Sequence, residues 1–557
     1  MTVTEWIKKQ VLKITGLSKI NGPDEQERLT FINNDELQKK TKIREYNVWY
    51  AGDSDELLNF YTRQMTIDYN FEPWYSRNKK NYFWSISSTE NDIKRTHSGQ
   101  PRNIVDTLVS IMKFPKIRAA SLPGKGKENP LDERLQTIIK ESNLKKVYKN
   151  QQMPMTLVEG WGCYKINWDM DISDYPLVVY YRAENVDYIM QQGKITGIIF
   201  KDYYLNAENN RRYLLTETRR LKYDAVLKDR VLVIEKELFL TSGKSDDDFL
   251  TKVELAAVPE LSDVVDYIEI GPMKWLLAVP TMFFENTSSV GLGPGRSIFS
   301  GKTDLFDDLD QCLSQASNTV RRSTPMEYFD TNYLERDKHT GMPKQPHVYD
   351  RKYTMVHGQL NADGSGAGGN PVQVTQPQLD FKSYSDQAVQ ILLQIINGVL
   401  SPATLGIDIA KKDNAEAQRE KEKVTIFTRN SILDVEAEIL HDLCTQLMCA
   451  YEFMHEGKIT KFDYDIAVRF SEFADDSYEN KLEKLGDAFG NELISEEMYL
   501  EKLYGDTLSD HEYERELDWL RKYKTEPRAQ GMTGASGNGA NLEGMFDEED
   551  DEEGLQL

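Results

Sequence analysis

Val279-Pro280-Thr281-Met282-Phe283-Phe284 opens the stretch on which the reading of this chain turns. Its apolar run predicts a strand, and Gly291-Leu292-Gly293-Pro294-Gly295 behind it predicts a turn. A helix is expected from about Lys302 to Arg322. Leu305, Phe306, Leu309, Cys312, Leu313, Ala316 and Val320 recur at helical spacing and draw one apolar stripe. Asp304, Asp307, Asp308 and Asp310 stand near its start, and Arg321 and Arg322 close it, an order that complements the helix dipole. One narrow stripe implies packing on one side only, as an ordinary surface helix or against a neighbouring subunit's copy. A compact, polar, Pro-punctuated insert follows. Tyr349 to His357 has the pattern of a strand. The loop Gly358–Asn370 holds five glycines and a single charge, which suits a mobile segment or a plain surface linker. An apolar helix from about Tyr384 to Leu400 ends the stretch. The whole is expected to be a hairpin excursion: one helix leads out, a small module sits at the tip, and a loop and a helix lead back.

Working outward, a chain of 557 residues has length for two to four domains. With 39% hydrophobic and 29% charged residues it has the make-up of a soluble globular protein, and no apolar run is long enough to span a membrane. The N-terminal segment is amphipathic, with Trp6, Ile7, Val11, Leu12 and Ile14 on one side of a short helix over 4–14. It lacks the apolar core of a secretory signal, and docking at a subunit or domain surface is the expectation. Cys163, Cys312, Cys444 and Cys449 are scattered without a CxxC pair, so a reducing compartment is expected. The formal net charge of −23 argues against tight, phosphate-neutralising capture of nucleic acid, while permitting a surface along which DNA slides.

Upstream of the hairpin, Ser54 is expected to cap a helix, with Glu56 in its first turn. Tyr69 to Trp84 is unusually aromatic, and its interleaved Arg77, Lys79 and Lys80 pose nucleic-acid stacking against a packed cluster with a basic rim; the second is the stronger expectation. Asn103–Met112 and Leu131–Tyr148 are expected helices, with helix continuing through 151–160. Then the period changes, and 160–285 is expected to be largely antiparallel sheet. Downstream, Ser401-Pro-Ala-Thr-Leu-Gly406 breaks the helix. A long helix is expected over about 414–456, a strand over 462–470, and three helices near 477–490, 495–504 and 509–524, with Ser495 and Ser509 as caps. A Gly-rich linker and the acidic run Asp547–Glu553 end the sequence.

Chemistry is hard to place. Gly301-Lys302-Thr303 resembles the end of a phosphate-binding loop, but the pattern needs glycine at Arg296. Ser242-Gly-Lys-Ser245 fails in the same way at Leu238. The seven histidines form no HExxH pair, and no DxDxDG or GxSxG motif occurs. No cofactor and no enzymatic activity are expected.

The order of these features resembles the portal proteins of tailed bacteriophages, in the head–tail connector family typical of phages of Gram-positive hosts. The residues that carry it are Val48-Trp-Tyr-Ala-Gly-Asp53, His97-Ser-Gly-Gln-Pro-Arg102 with its helix, Gly160-Trp-Gly-Cys-Tyr-Lys165, Val279-Pro280 with Phe284-Glu-Asn286, and Ser401-Pro-Ala-Thr-Leu-Gly406 followed by Ala415–Glu422. The resemblance implies an α+β, portal-type fold with an α/β wing, a helical stem, a small clip and a helical C-terminal crown, assembling as a ring of twelve around a DNA channel. Mapped here, it implies a wing over 1–290, stem 291–322, clip 323–357, tunnel loop 358–376, wing helices 377–470, crown 471–525, and a linker with acidic tail over 526–557. Channel candidates are Arg321, Arg322, Gln359, Asn361, Asp363, Ser365 and Asn370. Clip candidates are Arg336, Lys338, Lys344, Arg351 and Lys352. The implied partners are further copies of the chain, the terminase large subunit, head-completion adaptor proteins, major capsid and scaffolding proteins and double-stranded DNA, with no membrane. The implied place is a capsid vertex of the virion, after assembly in the host cytoplasm. Two alternatives remain at this point: a nucleotide-driven packaging enzyme with a degenerate phosphate loop at 291–303, or another structural virion protein.

Overall fold

The computed structural model describes residues 34–67, 81–86, 93–119, 129–206, 211–241, 250–287, 293–322, 326–330, 338–341, 352–356, 372–375, 381–406, 422–471, 478–490, 493–504 and 510–525. The expected helix 4–14, the basic-aromatic stretch 69–80, the polar start of the long helix at 414–421, Ser509 and the acidic tail lie outside these. Helices and mainly antiparallel strands alternate, in keeping with an α+β class. The chain divides into two compact units, Met1–Phe473 and Ala474–Leu557.

The first unit begins with α1 (Asn34–Ala51), which stops where Gly52 turns left-handed at φ 71°. Val48-Trp49-Tyr50 is thus the last turn of a helix. The next helix, α2 (Ser54–Ile67), is capped one residue earlier than expected. The carboxylate of Asp53 accepts the N–H groups of Asp55 and Glu56 at 2.8 and 3.2 Å, so Asp53 rather than Ser54 satisfies the free first-turn donors. α3 (Gln100–Ile111) has Pro101 in its first turn and buries Ile104, Val105 and Leu108. The single helix expected over Leu131–Tyr148 is broken in two. α4 (Pro130–Glu141) ends before Asn143, whose φ of 54° no α-helix accepts, and α5 (Leu144–Val147) restarts behind it. A π-turn, Tyr148–Gln152, leads into α6 (Met153–Glu159), and Gly160 at φ 96° ends it.

That glycine is fixed by contact as well as by conformation. A Cβ on Gly160 would come within 2.9 Å of the backbone of Arg296 and Ser297, and one on Gly295 within 2.2 Å of Gly160 O. A Cβ on Gly293 would likewise come within 2.3 Å of the Trp161 ring. Close backbone approach explains both glycine-rich segments without any phosphate. Gly160→Ala should therefore cost at least about 2 kcal/mol, from positive-φ strain plus overpacking. Thermal unfolding would show it, and a variant within about 0.5 kcal/mol of wild type would contradict this joint.

The sheets follow the sequence pattern. β2 (Gly162–Asn167), β3 (Leu177–Arg182) and β10 (Ala278–Thr281) form one sheet in the order β10-β2-β3. β4 (Val186–Gln191), β5 (Lys194–Asn206), β6 (Arg211–Asp224), β7 (Asp229–Thr241) and β8 (Leu250–Val253) make a second antiparallel sheet in sequence order, with β9 (Tyr267–Ile270) added on β7. β4 and β5 are joined at a turn in which Gln192 and Gly193 both have positive φ. A buried ion cluster joins the two sheets. Glu217 pairs with Lys165 at 3.0 Å and Arg219 at 2.8 Å, and Arg219 also donates to the carbonyl of Ile166 at 2.9 Å. Burial raises the Glu217 carboxyl, but Arg219 and Lys165 outweigh it and hold it down at about 2. Lys165 thus serves as a structural cation between sheets.

The long helix α9 (Lys423–Glu456) supplies the apolar spine of this unit. Ile432, Ile439, Leu440, Leu443, Leu447 and Met448 are buried in one continuous core with α1 to α4 and β2. β1 (Lys116–Ala119) pairs antiparallel with β14 (Ile466–Arg469) beside it.

In the second unit, three helices form close to the expected bounds: α10 (Tyr478–Gly490), α11 (Glu496–Tyr504) and α12 (Asp510–Thr525). Ser495 caps α11 by accepting the Met498 N–H at 3.2 Å, as its sequence position predicts. Arg521 reaches Glu496 and Glu497 at 3.4 and 3.0 Å, tying α12 to α11.

Candidate functional site: a helix pair, its root and its tip

The expected outgoing helix forms as α7 (Thr303–Arg322). Phe306, Leu309, Cys312 and Ala316 of its apolar stripe are buried, whereas Val320, near the tip, is 45% exposed. The return arm is α8 (Phe381–Ile396), which runs back antiparallel along α7. Cys312 Sγ lies 3.3 Å from Tyr384 O, and Lys302 Nζ lies 3.1 Å from Asn397 O. These contacts join the start of the 377–470 helical region to the outgoing helix. The return helix pairs with the outgoing one, so the projection has two helices.

The aspartates of α7 do more than complement its dipole. Asp307, Asp310 and Ser314 follow one another at three and four residues, so they share a helix face. All three are buried and hold Phe83, Trp84 and Thr96 to Ser98. Asp307 accepts the N–H groups of Phe83 and Trp84 at 2.8 and 3.3 Å. Asp310 accepts Trp84 Nε1–H at 3.1 Å, Ser98 N–H at 2.8 Å and His97 Nδ1 at 2.7 Å. Ser314 Oγ accepts the Thr96 N–H at 2.9 Å. Burial lifts the Asp307 carboxyl to about 7, despite its two backbone donors, with the Asp308 and Asp310 charges adding to the rise. The helix is therefore clasped on two faces at its root rather than packed on one. A polar stripe at helical spacing is the sequence signal for this, and dipole complementation alone does not account for it.

The clasp unites two segments that carry the resemblance. Trp49 lies 5.5 Å from the Phe306 ring and 5.7 Å from the His97 ring. Its Nε1–H donates to Tyr61 Oη at 2.7 Å, and Tyr61 donates on to Glu45 at 2.8 Å. Gly52 backs onto His97, where a Cβ would meet the ring at 3.1 Å. His97 Nδ1 faces the Asp310 carboxylate at 2.7 Å, and its buried Nε2 has no hydrogen-bond partner among the described residues. Tyr82, Phe83 and Trp84 are buried here too, so this part of the aromatic stretch is core rather than a stacking surface.

At the other end of the pair stands a three-stranded sheet: β11 (Met326–Asp330) in the centre, β12 (Lys352–Val356) parallel to it and β13 (Val372–Thr375) antiparallel. Within the 349–357 stretch, residues 352–356 form a strand as the pattern predicts, and the others lie outside the described residues. Val372–Thr375 is also a strand, although it falls in the range assigned to the tunnel loop. Alternating Val372 and Val374 give it β character, and pairing with β11 makes it part of the tip.

Among the candidate residues, Arg321 and Arg322 end α7. Lys352 opens β12 opposite Met326. Met326 follows Arg322 by four residues, a span of at most about 14 Å along the backbone, so the two arginines come to the end of the sheet at which Lys352 pairs with Met326. Lys338 is exposed in a turn at 338–340. Arg336, Lys344, Arg351, Gln359, Asn361, Asp363, Ser365 and Asn370 lie outside the described residues.

Lys302, the lysine of the phosphate-loop-like segment, has a different task. Its amine donates to the carbonyls of Ile395 and Asn397 and so caps the end of α8. Burial pulls its pKa down to about 8. No group of three or more His, Cys, Asp or Glu side chains suited to a metal occurs among the described residues, and no described helix is long and apolar enough to cross a membrane.

No family model matches this chain, and no curated protein does. Among solved structures, one similar chain is described as "Neck of empty GTA particle computed with C6 symmetry". It is 9% identical at a TM-score of 0.34, with 79% of this chain and 95% of that chain covered. At that level the likeness carries no argument of its own.

Proposed function

We propose that the chain is the subunit of a phage portal: a ring of twelve at one capsid vertex, around the channel through which DNA is packaged and ejected. The observation that supports this best is the projection. A two-helix arm is clasped at its root by buried carboxylates and ends in a small sheet, at the place in the chain where the resemblance implies stem and clip. In this reading α7 and α8 are the stem. The tip sheet is the clip, which docks the terminase large subunit and later the head-completion adaptors. Capsid and scaffolding proteins surround the ring, which assembles in the host cytoplasm and then resides in the virion.

Passive conduction fits the charge. An acidic wall does not trap a moving polyanion, and a few cations such as Arg321, Arg322 and Lys352 damp it. The energy comes from a separate ATPase. The capping role of Lys302 supports this assignment over a nucleotide-driven enzyme, because its ammonium is already held by two carbonyls. Electron microscopy of purified protein should show twelve-fold rings with a central hole. Their absence at high concentration would overturn the proposal, and ATP hydrolysis lost on Lys302→Ala would replace it with the enzyme reading.

A further inference from the structure

One stretch runs against the acidity of the chain. From Thr107 to Val158 there are ten Lys or Arg against four Asp or Glu, inside a chain of net charge −23. The fold gathers part of this surplus on one surface. Lys145, Lys146, Lys149 and Asn150 are exposed, whereas Leu144, Tyr148 and Gln152 are buried, so the four share the outer face of α5 and the π-turn. Tyr148 brings a fifth residue alongside. Its hydroxyl contacts Met112 O at 3.4 Å and its ring packs edge-on against Phe114 at 5.2 Å, which places exposed Lys113 next to the turn. Arg429 braces the same joint by donating to Ile111 O at 3.1 Å. β1 continues the positive edge, with Lys116 directly opposite Arg469.

Lys113, Lys145, Lys146 and Lys149 form no ion pair with any described residue, and the one carboxylate between Leu135 and Val158 is exposed Glu141 at the end of α4, apart from buried Glu436 packed behind Tyr148 on α9. None of the exposed large apolar side chains among the described residues falls between 107 and 158. This face therefore lacks the apolar anchors of a protein interface or a membrane-inserting surface. It presents lysine point charges beside the amides of Asn143, Asn150 and Gln151. That is the make-up of sequence-independent phosphate contact, whereas carboxylate recognition favours the bidentate arginine fork.

We propose that Lys113, Lys145, Lys146 and Lys149 form a seat for the phosphate backbone of duplex DNA, separate from the helix-pair projection. Four lysines give weak, salt-labile binding, suited to holding a duplex against the body without arresting it. The proposal does not depend on the role assigned to the projection.

The test is fluorescence anisotropy of a duplex of about 30 base pairs with the full chain in its purified assembly state, titrated between about 50 and 200 mM salt. The variant K113Q/K145Q/K146Q/K149Q should bind at least about tenfold more weakly at the low-salt end, and its salt slope should fall by roughly 0.9 for each phosphate it no longer neutralises. The corresponding Lys→Arg variant should retain both, and the exposed positions should leave the unfolding temperature unchanged. Equal affinity and slope in wild type and Gln variant would overturn the proposal. So would lysine-dependent binding of polyglutamate with no duplex binding, which would assign the face to an acidic protein. Rings seen by microscopy without this binding would leave the portal reading standing and sink only the DNA seat.

Discussion

Glu436→Gln should make the protein more stable than wild type at pH 8 by about 3–5 kcal/mol, while changing little near pH 5. Glu436 lies in the middle of α9, fully buried. Its Oε2 accepts from Gln152 Nε2 at 2.8 Å, but its Oε1 has no partner among the described residues. Gln152 Oε1 and Tyr164 Oη are likewise unpartnered there, and the Glu436 charge is felt at Tyr164. Burial pushes the Glu436 carboxyl up to about 8 from an ordinary 4.5, with only Gln152 opposing. Its folded value therefore lies above its unfolded value. Between these two limits the folded chain keeps a proton that the unfolded chain has released. The stabilisation from a protonated Glu436 is complete below about pH 4.5 and is lost, at about 1.4 kcal/mol per pH unit, as pH rises through 8. Glutamine cannot ionise, and its amide can donate to the free oxygens nearby. Chemical unfolding of both proteins from pH 5 to 9 reads the slope directly. Parallel pH profiles would show that Glu436 is ionised in the folded state. Glu217 works with the opposite sign: its depressed carboxyl adds stability above pH 4.5 that disappears as pH falls through about 2.

Asp310→Ala should cost about 3–5 kcal/mol and loosen α7 from the body. The substitution removes the only acceptor that the described residues offer to Trp84 Nε1–H, Ser98 N–H and His97 Nδ1. The buried Trp84 indole N–H and two partly buried groups then lose their partner. Asp308→Ala, two residues back on the exposed side, should stay within about 0.5 kcal/mol of wild type. Thermal unfolding compares the two, and tryptophan fluorescence should report exposure of Trp84 in the first variant alone. A loss under about 1 kcal/mol for Asp310→Ala would mean that the clasp does not hold the helix. In the portal reading, a weakened clasp would also reduce ring yield.

Much of the fold is legible in the sequence because its signals are local. The period of two over 177–241, the turn at Gln192-Gly193, Ser495 as a cap and the apolar stripe of α7 depend on neighbours a few residues away. The departures have equally definite causes. Asn143 takes a left-handed conformation that nothing beside it in sequence demands. Asp53 outcompetes Ser54 as the cap, since its carboxylate reaches two first-turn donors. Gly293 and Gly295 fall in the stretch weighed as a degenerate phosphate loop, but they, like Gly160, are small because two backbones and an indole ring meet there.

By itself the sequence determined the element types, the order strand, helix, tip, loop, helix, and the absence of a well-spaced nucleotide motif. These follow from periodicity, capping and glycine spacing along the chain. The tertiary structure alone decided what each polar residue is for. It turned four aspartates that suited a helix dipole into two buried clasps and two exposed neighbours, and it made Lys302 a cap for a helix end 95 residues away. It also gathered lysines from either side of a loop onto one face. The physical reason is that burial sets the worth of a charge. A carboxylate or ammonium in water contributes little, while the same group withdrawn from water must find partners, and those partners come from segments remote in sequence.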